Sequence, residues 1–257
     1  MFFPSRHHRE YRSYVAYLRD RRRRRLLTAV LMFIGLIIAL AYVQDHPGTH
    51  HRARPAHTAA PAHHVHRRSS QPSTTAAAQG LSWINFHGIQ LPASAHDGPR
   101  SASGGLATGF TDTPAGALVA AINIGVRTAA LWGPAIYTPT ITHQVTGPDT
   151  AALLNADTSS YQALQSAAHV PSGQPAGRGY AAEAAYRFVA WTPASAAVDV
   201  VTEGPGSGGA TALAVTRIEL LWQRGDWRVV APPDGSWANS AASLSSLTGY
   251  TTFSSEG

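Results

Sequence analysis

The chain has 257 residues, enough for one or two domains, and its 13% of charged residues is about half the usual share. It contains no cysteine, which excludes disulfides, thiol catalysis, iron–sulfur clusters and cysteine-ligated zinc. Arginine accounts for all 20 basic residues, so enzymes that need a phosphate-loop lysine or a lysine Schiff base are excluded as well.

The net charge of +6 is distributed unevenly along the chain. Residues 1–25 carry nine arginines and two acids, residues 44–80 carry four arginines and one acid, and residues 81–257 carry seven arginines and eleven acids. The three parts therefore have charges of +7, +3 and −4. A basic N-terminus on an acidic remainder indicates an anionic surface near the N-terminus, and we expect no direct binding of nucleic acid.

Residues 26–43 form an uncharged apolar run that predicts a single-pass transmembrane helix. Its eighteen residues would span roughly 27 Å, about the thickness of a bilayer core. An arginine keeps its charge and is costly to move through hydrocarbon, so an arginine run marks the cytoplasmic side. The sequence thus predicts a cell-membrane protein with a basic cytoplasmic tail (1–25), the lipid bilayer as a partner, and its C-terminus outside. The residues that set this topology are Arg21, Arg22, Arg23, Arg24 and Arg25.

Two alternatives to a membrane anchor remain open. Ala39-Leu40-Ala41 resembles a signal-peptide cleavage site, and cleavage would then follow Ala41. The run could also be a buried core helix, although the chain has no second apolar element of that kind to cover it. The 25 residues ahead of the run are long for a signal peptide, which favours the anchor.

Residues 44–80 predict a disordered linker. They are rich in Ala, Pro, Ser, Thr and His, and Val65 is their one large aliphatic residue, so burial cannot offset the entropy lost on ordering. A metal-binding or pH-responsive tract is the alternative, because seven of the 13 histidines lie here. Zinc requires a fixed tetrahedral ligand set, and we therefore expect neither a metal nor a cofactor. These histidines are His46, His50, His51, His57, His63, His64 and His66.

Residues 81–257 predict one extracytoplasmic domain that begins with helices. A short edge strand is expected at 83–91, before them. Thr113 and Pro114 are typical of a helix start, and the residues after them repeat apolar side chains every four positions. A second helix is expected after Asp149, with a break at Asn155. The buried stripe of the first helix consists of Leu118, Ile122 and Val126.

From Tyr180 onward the pattern alternates and predicts four strands, within 186–191, 198–201, 213–222 and 226–230. Helices followed by such a meander indicate an α+β fold, in which the helices pack on a curved, cone-like antiparallel sheet of about four strands. The large side chains of these strands are expected to meet the helix stripe or each other in the core. They are Tyr186, Phe188, Leu220, Trp222 and Trp227.

Two segments of the domain resemble the nuclear-transport-factor-2-like fold: the helix start from Thr113 to Leu118 and the late hairpin from Gly225 to Val230. The layout of the chain also resembles that of an assembly-factor family of type IV secretion and conjugation systems. Proteins of that family have a basic tail, one membrane helix, a spacer and such a domain outside. The chain is similar, too, to conjugation proteins of Gram-positive bacteria and their uncharacterised membrane relatives. That family is structural, so the resemblance implies no catalytic residues.

No active site is visible in the sequence. Residues 204–209 match the G-x-G-x-x-G dinucleotide pattern, but the segment after them predicts a strand rather than the helix that must hold the pyrophosphate. Asp199 and Glu219 lie on strands where isomerase relatives of the resembled fold keep an acidic base in the cone cavity. Because alternating strands place half their side chains outside, we expect both acids to be exposed.

The sequence therefore favours a non-enzymatic, membrane-anchored scaffold or interaction protein, as a subunit of a conjugation or secretion apparatus. Its expected partners are other membrane or secretion-apparatus proteins, with a homo-oligomer as a further option. The alternative is a small-molecule receptor or an enzyme that uses the cone cavity. A pocket of convergent polar groups that includes Asp199 or Glu219 would favour this alternative.

Overall fold

The computed structural model describes residues 74–206 and 210–253. The predicted transmembrane segment 26–43, the five arginines before it and most of the predicted linker lie outside these residues. Within the described part of the chain, no helix combines the length and the apolar character that crossing a bilayer requires.

The described residues form three α-helices, eleven strands and three short 3-10 helices. The α-helices are α1 (Pro114–Arg127), α2 (Pro134–Gln144) and α3 (Thr150–Ala168). The strands are β1 (Ser82–Phe86), β2 (Ile89–Ala93), β3 (Ser101–Ser103), β4 (Leu106–Thr108), β5 (Val145–Thr146), β6 (Ala182–Thr192), β7 (Ser195–Pro205), β8 (Thr211–Gln223), β9 (Asp226–Val230), β10 (Ala241–Leu244) and β11 (Thr251–Thr252). The 3-10 helices are Ala130–Trp132, Pro233–Gly235 and Trp237–Ser240.

Seven of these strands form one mixed sheet. Its order is β11-β6-β7-β8-β9-β5, and β10 also pairs with β8. Strands β6 to β9 are successive antiparallel neighbours, whereas β5 lies parallel to β9. The predicted cone-like antiparallel sheet of about four strands is therefore wrong, because three further strands extend the sheet and one of them makes it mixed. Strands β5 and β11 have two residues each, too few for an alternating pattern to reveal them.

Helix α1 lies at the centre of the fold. The side chain of Thr113 accepts a hydrogen bond from the Gly116 N–H at 3.0 Å, and Pro114 occupies the first turn. Every residue from Gly116 to Arg127 is buried. The helix contacts β7, β8 and β9 of the sheet, and it also contacts β2, β4 and α2. A helix that is covered on all sides in this way needs apolar residues around its whole circumference.

The eight residues predicted for the core belong to one apolar cluster around α1. Two of them, Phe188 and Trp222, are only half-buried. The strand register shifts next to Phe188, and Trp222 lies at the hairpin end, where its ring centre is 5.3 Å from that of Trp227. The six fully buried residues are Leu118, Ile122, Val126, Tyr186, Leu220 and Trp227.

The predicted edge strand 83–91 is instead a two-stranded hairpin, β1–β2, that forms a sheet of its own. His87 and Gly88 make the turn, with φ angles of 51° and 98°. Two successive residues with positive φ are the hallmark of a tight hairpin turn, for which Asn-Gly is the usual sequence. A His-Gly turn gives no such signal, so the alternating pattern of residues 83–91 predicts a single strand.

The helical region after α1 also differs from the prediction. Helix α2 was not predicted; Pro134 occupies its first turn, and Pro139 lies inside it. Helix α3 runs without the predicted break through Asn155. The two helices form a second apolar cluster in which the rings of Tyr137 and Tyr161 lie 6.1 Å apart.

The ordered part of the chain begins before Leu81. Ala77 is only 2% exposed and belongs to the main core. The hydroxyl of Tyr186 donates to the carbonyl of Thr75 at 2.8 Å and accepts from the Ala78 N–H at 3.2 Å. Any fragment that is meant to fold as this domain should therefore include residues 74–80.

Candidate functional site

A row of three charged side chains crosses the middle of the large sheet. Arg187 on β6 lies opposite Asp199 on β7, and Asp199 lies opposite Arg217 on β8. Side chains that face each other across neighbouring strands lie on the same face of a sheet. The adjacent residues Val198 and Ile218 belong to the core around α1, so the charged row lies on the opposite face.

The two guanidinium groups enclose the carboxylate of Asp199. Arg217 donates from Nε to Oδ1 at 2.8 Å and from Nη2 to Oδ2 at 3.2 Å. Arg187 donates from Nη2 to Oδ2 at 2.7 Å. The side chain of Asp199 is only 4% exposed, whereas each arginine side chain is 46% exposed. The carboxylate is thus buried between the two arginines and holds them in place. The outer sides of both guanidinium groups face solvent.

The electrostatics of the row oppose proton transfer by Asp199. Burial alone would raise the pKa of Asp199, but the hydrogen bonds and charges of Arg217 and Arg187 outweigh it and hold the pKa below its ordinary value. The hydrogen bonds that the two arginines donate to Asp199 raise the pKa of both arginines. All three groups therefore stay ionised near neutral pH, and none of them is suited to act as a general acid or base.

The charged row forms part of a groove of about 590 Å³, a size typical of ligand sites. The ring of Tyr250 covers one end, with its centre 4.5 Å from Cζ of Arg187. The walls come from the start of α3, the end of β9, the turn region before β10 and β10 itself. The groove residues outside the charged row are Pro148, Asp149, Val215, Glu219, Val230, Ala231, Pro232, Pro233, Trp237, Asn239, Ser240, Ala241, Ala242 and Tyr250.

One edge of strand β8 has a gap in its pairing beside this groove. On that edge β10 pairs with residues 213–216 and β9 pairs with residues 220–223. Between them, Arg217, Ile218 and Glu219 pair only with β7, on the other edge. The chain leaves the sheet after Val230 and returns at Ala241, and groove residues lie on both sides of the gap.

The expectation that Asp199 is exposed is wrong, since the arginines of the two neighbouring strands cover it. Glu219 is exposed, and it lines the same groove. Arg187 and Arg217 were not recognised as site residues. The sequence shows one arginine in each of two predicted strands, but only the strand register reveals that both lie directly opposite Asp199.

The histidines and the glycine-rich pattern noted in the sequence form no metal or dinucleotide site among the described residues. No group of three His, Asp or Glu side chains is placed to hold a metal ion within residues 74–206 and 210–253. The glycine-rich segment at 204–209 lies between antiparallel strands β7 and β8, and residues 207–209 lie outside the described part. A strand therefore follows these glycines, not the helix that pyrophosphate binding requires.

Removal of the charge of Asp199 is expected to destabilise the domain. In Asp199→Asn the two arginines lose their shared counter-ion and an amide replaces a buried acceptor, so we expect a loss of about 1–3 kcal/mol. Glu219→Gln, on the same face but exposed, should change stability by less than about 0.5 kcal/mol. Urea unfolding of a fragment of residues 74–257 measures both. Equal effects of the two substitutions would contradict the buried position of Asp199.

Fold and site together define a domain with three helices, a seven-stranded mixed sheet and an arginine-lined groove on the sheet face opposite α1. The chain belongs to the family described as Domain of unknown function (DUF8175), which matches residues 45–252. The match covers the predicted linker as well as the folded domain. No curated protein and no solved structure matches the chain.

Proposed function

We propose that this protein is a non-enzymatic, membrane-anchored interaction protein that binds a partner protein in the groove along β8. The observation that carries the proposal is the row Arg187–Asp199–Arg217. It combines a rigid, fully hydrogen-bonded carboxylate with two guanidinium groups whose outer sides are accessible.

Several properties of the groove support binding rather than catalysis. Both oxygens of Asp199 are occupied by arginine donors, so they cannot take a proton from a substrate without breaking the row. The other carboxylate on this face, Glu219, is exposed to solvent. Among the described groove residues there is no histidine to act as a proton carrier.

The position of the groove also favours a protein partner over a receptor with an enclosed cavity. The groove lies on the sheet face opposite α1, whereas the space between sheet and helix is filled by side chains such as Ile122 and Leu220. A binding surface on the outside of a sheet is accessible to a chain segment of another protein.

The proposed membrane anchor and the proposed role in a conjugation or secretion apparatus are inferred from the sequence. Residues 26–43 and the arginines before them would hold the domain outside the membrane on a tether formed by residues 44–73. A subunit of a conjugation or secretion apparatus remains our proposal for the role, on the basis of this layout. The sheet does not support this role, because it has more strands than the resemblance to the nuclear-transport-factor-2-like fold implies.

The experiment that tests the proposal is a comparative pull-down of the full chain, tagged and extracted from membranes in detergent. We compare the parent with Arg187→Gln, which alters the groove, and with Arg178→Gln, which removes one exposed arginine elsewhere on the surface. We expect at least one protein, identified by mass spectrometry, to be captured by the parent and the control and lost by Arg187→Gln. Identical captured sets for all three would show that the groove is not a partner site.

A further inference from the structure

We infer that the ligand of the groove is a peptide segment that carries one carboxylate among small apolar residues. This inference rests on the function proposed above and adds the chemistry of the partner. Three features of the groove carry it: unused arginine donors, an unpaired length of strand edge, and predominantly apolar walls.

The arginine donors call for an anionic group. Among the described residues no acceptor bonds Nε or Nη1 of Arg187, or Nη1 of Arg217. Two guanidinium groups against one carboxylate leave a single positive charge in the row, and the exposed Glu219 lies near enough to Arg217 to raise the pKa of that arginine. A ligand carboxylate can take bidentate hydrogen bonds from such groups, which are among the stronger polar contacts in proteins.

The surrounding acids limit the ligand to one negative charge. Glu219 and Asp149 both line the groove, so a ligand with several anionic groups would meet two carboxylates beside the arginines. The net charge of −4 on residues 81–257 opposes a polyanion further. These charges argue against nucleic acid and against a strongly acidic tail.

The gap in the pairing of β8 favours a peptide over another monoanion. Arg217, Ile218 and Glu219 have a neighbouring strand on one edge only, and the side chains of Arg217 and Glu219 line the groove on the sheet face beside this gap. Strand addition at such an edge lets a ligand backbone donate and accept hydrogen bonds while its side chains enter neighbouring pockets. Because β9 and β10 occupy the same edge on either side of the gap, no more than about three ligand residues can pair with β8 there.

The walls of the groove define the neighbours of that carboxylate. Three prolines, two valines and three alanines make up eight of the 17 residues that line the groove. The prolines lack an N–H donor and present rigid apolar surface, and small aliphatic side chains of a ligand would bury against it. Tyr250 adds an aromatic ring to the lining, and Cζ of Arg187 lies over this ring. We therefore expect Ala, Val or Pro on both sides of the acidic residue.

An array of acetylated, amidated heptapeptides tests this ligand class. Each peptide has Glu, Asp, Gln, Arg or three successive Glu residues at its centre and Ala, Val or Pro elsewhere. The probe is the full chain in detergent, and fluorescence anisotropy then measures Kd for the peptides that bind. We expect a single central Glu or Asp to bind at least about tenfold more tightly than Gln, because one charge-assisted hydrogen-bond pair is lost. Three successive Glu residues should bind no better than one.

Three variants connect the binding to the groove, and their melting temperatures confirm that they are folded. Arg187→Gln should weaken binding of the single-acid peptide at least about tenfold. Glu219→Gln should strengthen it by about threefold, because a nearby repelling charge is removed from an exposed position. The control Arg178→Gln should leave Kd unchanged.

The peptide-binding and pull-down experiments together distinguish a failure of the inferred ligand class from a failure of the proposed function. Equal binding of the Glu and Gln peptides, or a Kd that is the same in a folded Arg187→Gln protein, overturns the ligand class. If the pull-down still shows a partner that depends on Arg187, the proposed function stands with a different ligand. If neither experiment depends on Arg187, both proposals fail.

Discussion

We expect the Asp157→Asn variant to lose much of the pH dependence of folding that the parent shows between pH 5 and 8. Asp157 lies on α3 and is 7% exposed, and its Oδ2 has no hydrogen-bond partner among the described residues. Burial raises the pKa of Asp157 from 3.8 to about 8, although a hydrogen bond from the backbone of Ala130 lowers it in part. The folded protein therefore keeps this carboxyl group protonated at neutral pH.

The sign of the effect follows from the difference between folded and unfolded states. Above pH 3.8 the unfolded chain releases the proton of Asp157, whereas the folded protein retains it up to about pH 8. The folded state then binds more protons, so the contribution of this group to the free energy of unfolding is complete below pH 3.8 and decreases as the pH rises. The decrease is about 1.4 kcal/mol for each pH unit, or about 3–4 kcal/mol between pH 5 and 8.

The measurement is the difference in free energy of unfolding between parent and variant, from urea titrations of residues 74–257 at several pH values. Asp157→Asn should be relatively more stable at pH 8 than at pH 5. Glu183, whose pKa burial raises to about 8, titrates with the same sign in both proteins and cancels in the difference. Asp112→Asn makes the same chemical change at an exposed aspartate and is the matched control. If the difference in free energy of unfolding between parent and Asp157→Asn did not change with pH, a protonated, buried carboxyl group at Asp157 would be contradicted.

Local signals in the sequence were sufficient to predict part of the fold. Thr113 and Pro114 mark the first turn of α1, and the four-residue apolar spacing after them indicates its buried stripe. Alternation within 186–191 and 213–222 predicts strands β6 and β8. These features depend on residues that are close together along the chain, so they can be read without knowledge of the tertiary structure.

The features that were missed depend on contacts between distant residues. Strand β5 exists because Val145 and Thr146 lie beside Val229 and Val230, more than 80 residues further along the chain. Strand β11 consists of two threonines that pair with Ala185 and Tyr186. A two-residue strand has no periodicity, so a sequence pattern cannot place it at the edge of a sheet.

The candidate site was missed for a related reason. Sequence alternation divides the residues of a strand between two faces, but it does not determine which residue of the next strand lies opposite. Asp199 was predicted to be exposed because an alternating strand places half of its side chains on the outer face. It is on the outer face, but the register brings Arg187 and Arg217 over it, and the burial of Asp199 comes from these two side chains.

Truncation of Ile122, a buried side chain of α1, is expected to cause a large loss of stability. Ile122 is 1% exposed and lies in the middle of a helix that is buried on every side, so its neighbours cannot move in to fill the space. Ile122→Ala should therefore reduce the free energy of unfolding by about 2–5 kcal/mol, a large part of the stability of a typical domain. Ile84→Ala removes the same atoms from a residue that is 38% exposed on β1, and we expect it to cost less than about 1 kcal/mol. Urea unfolding of residues 74–257 compares the two, and similar losses would show that α1 is not the centre of the core.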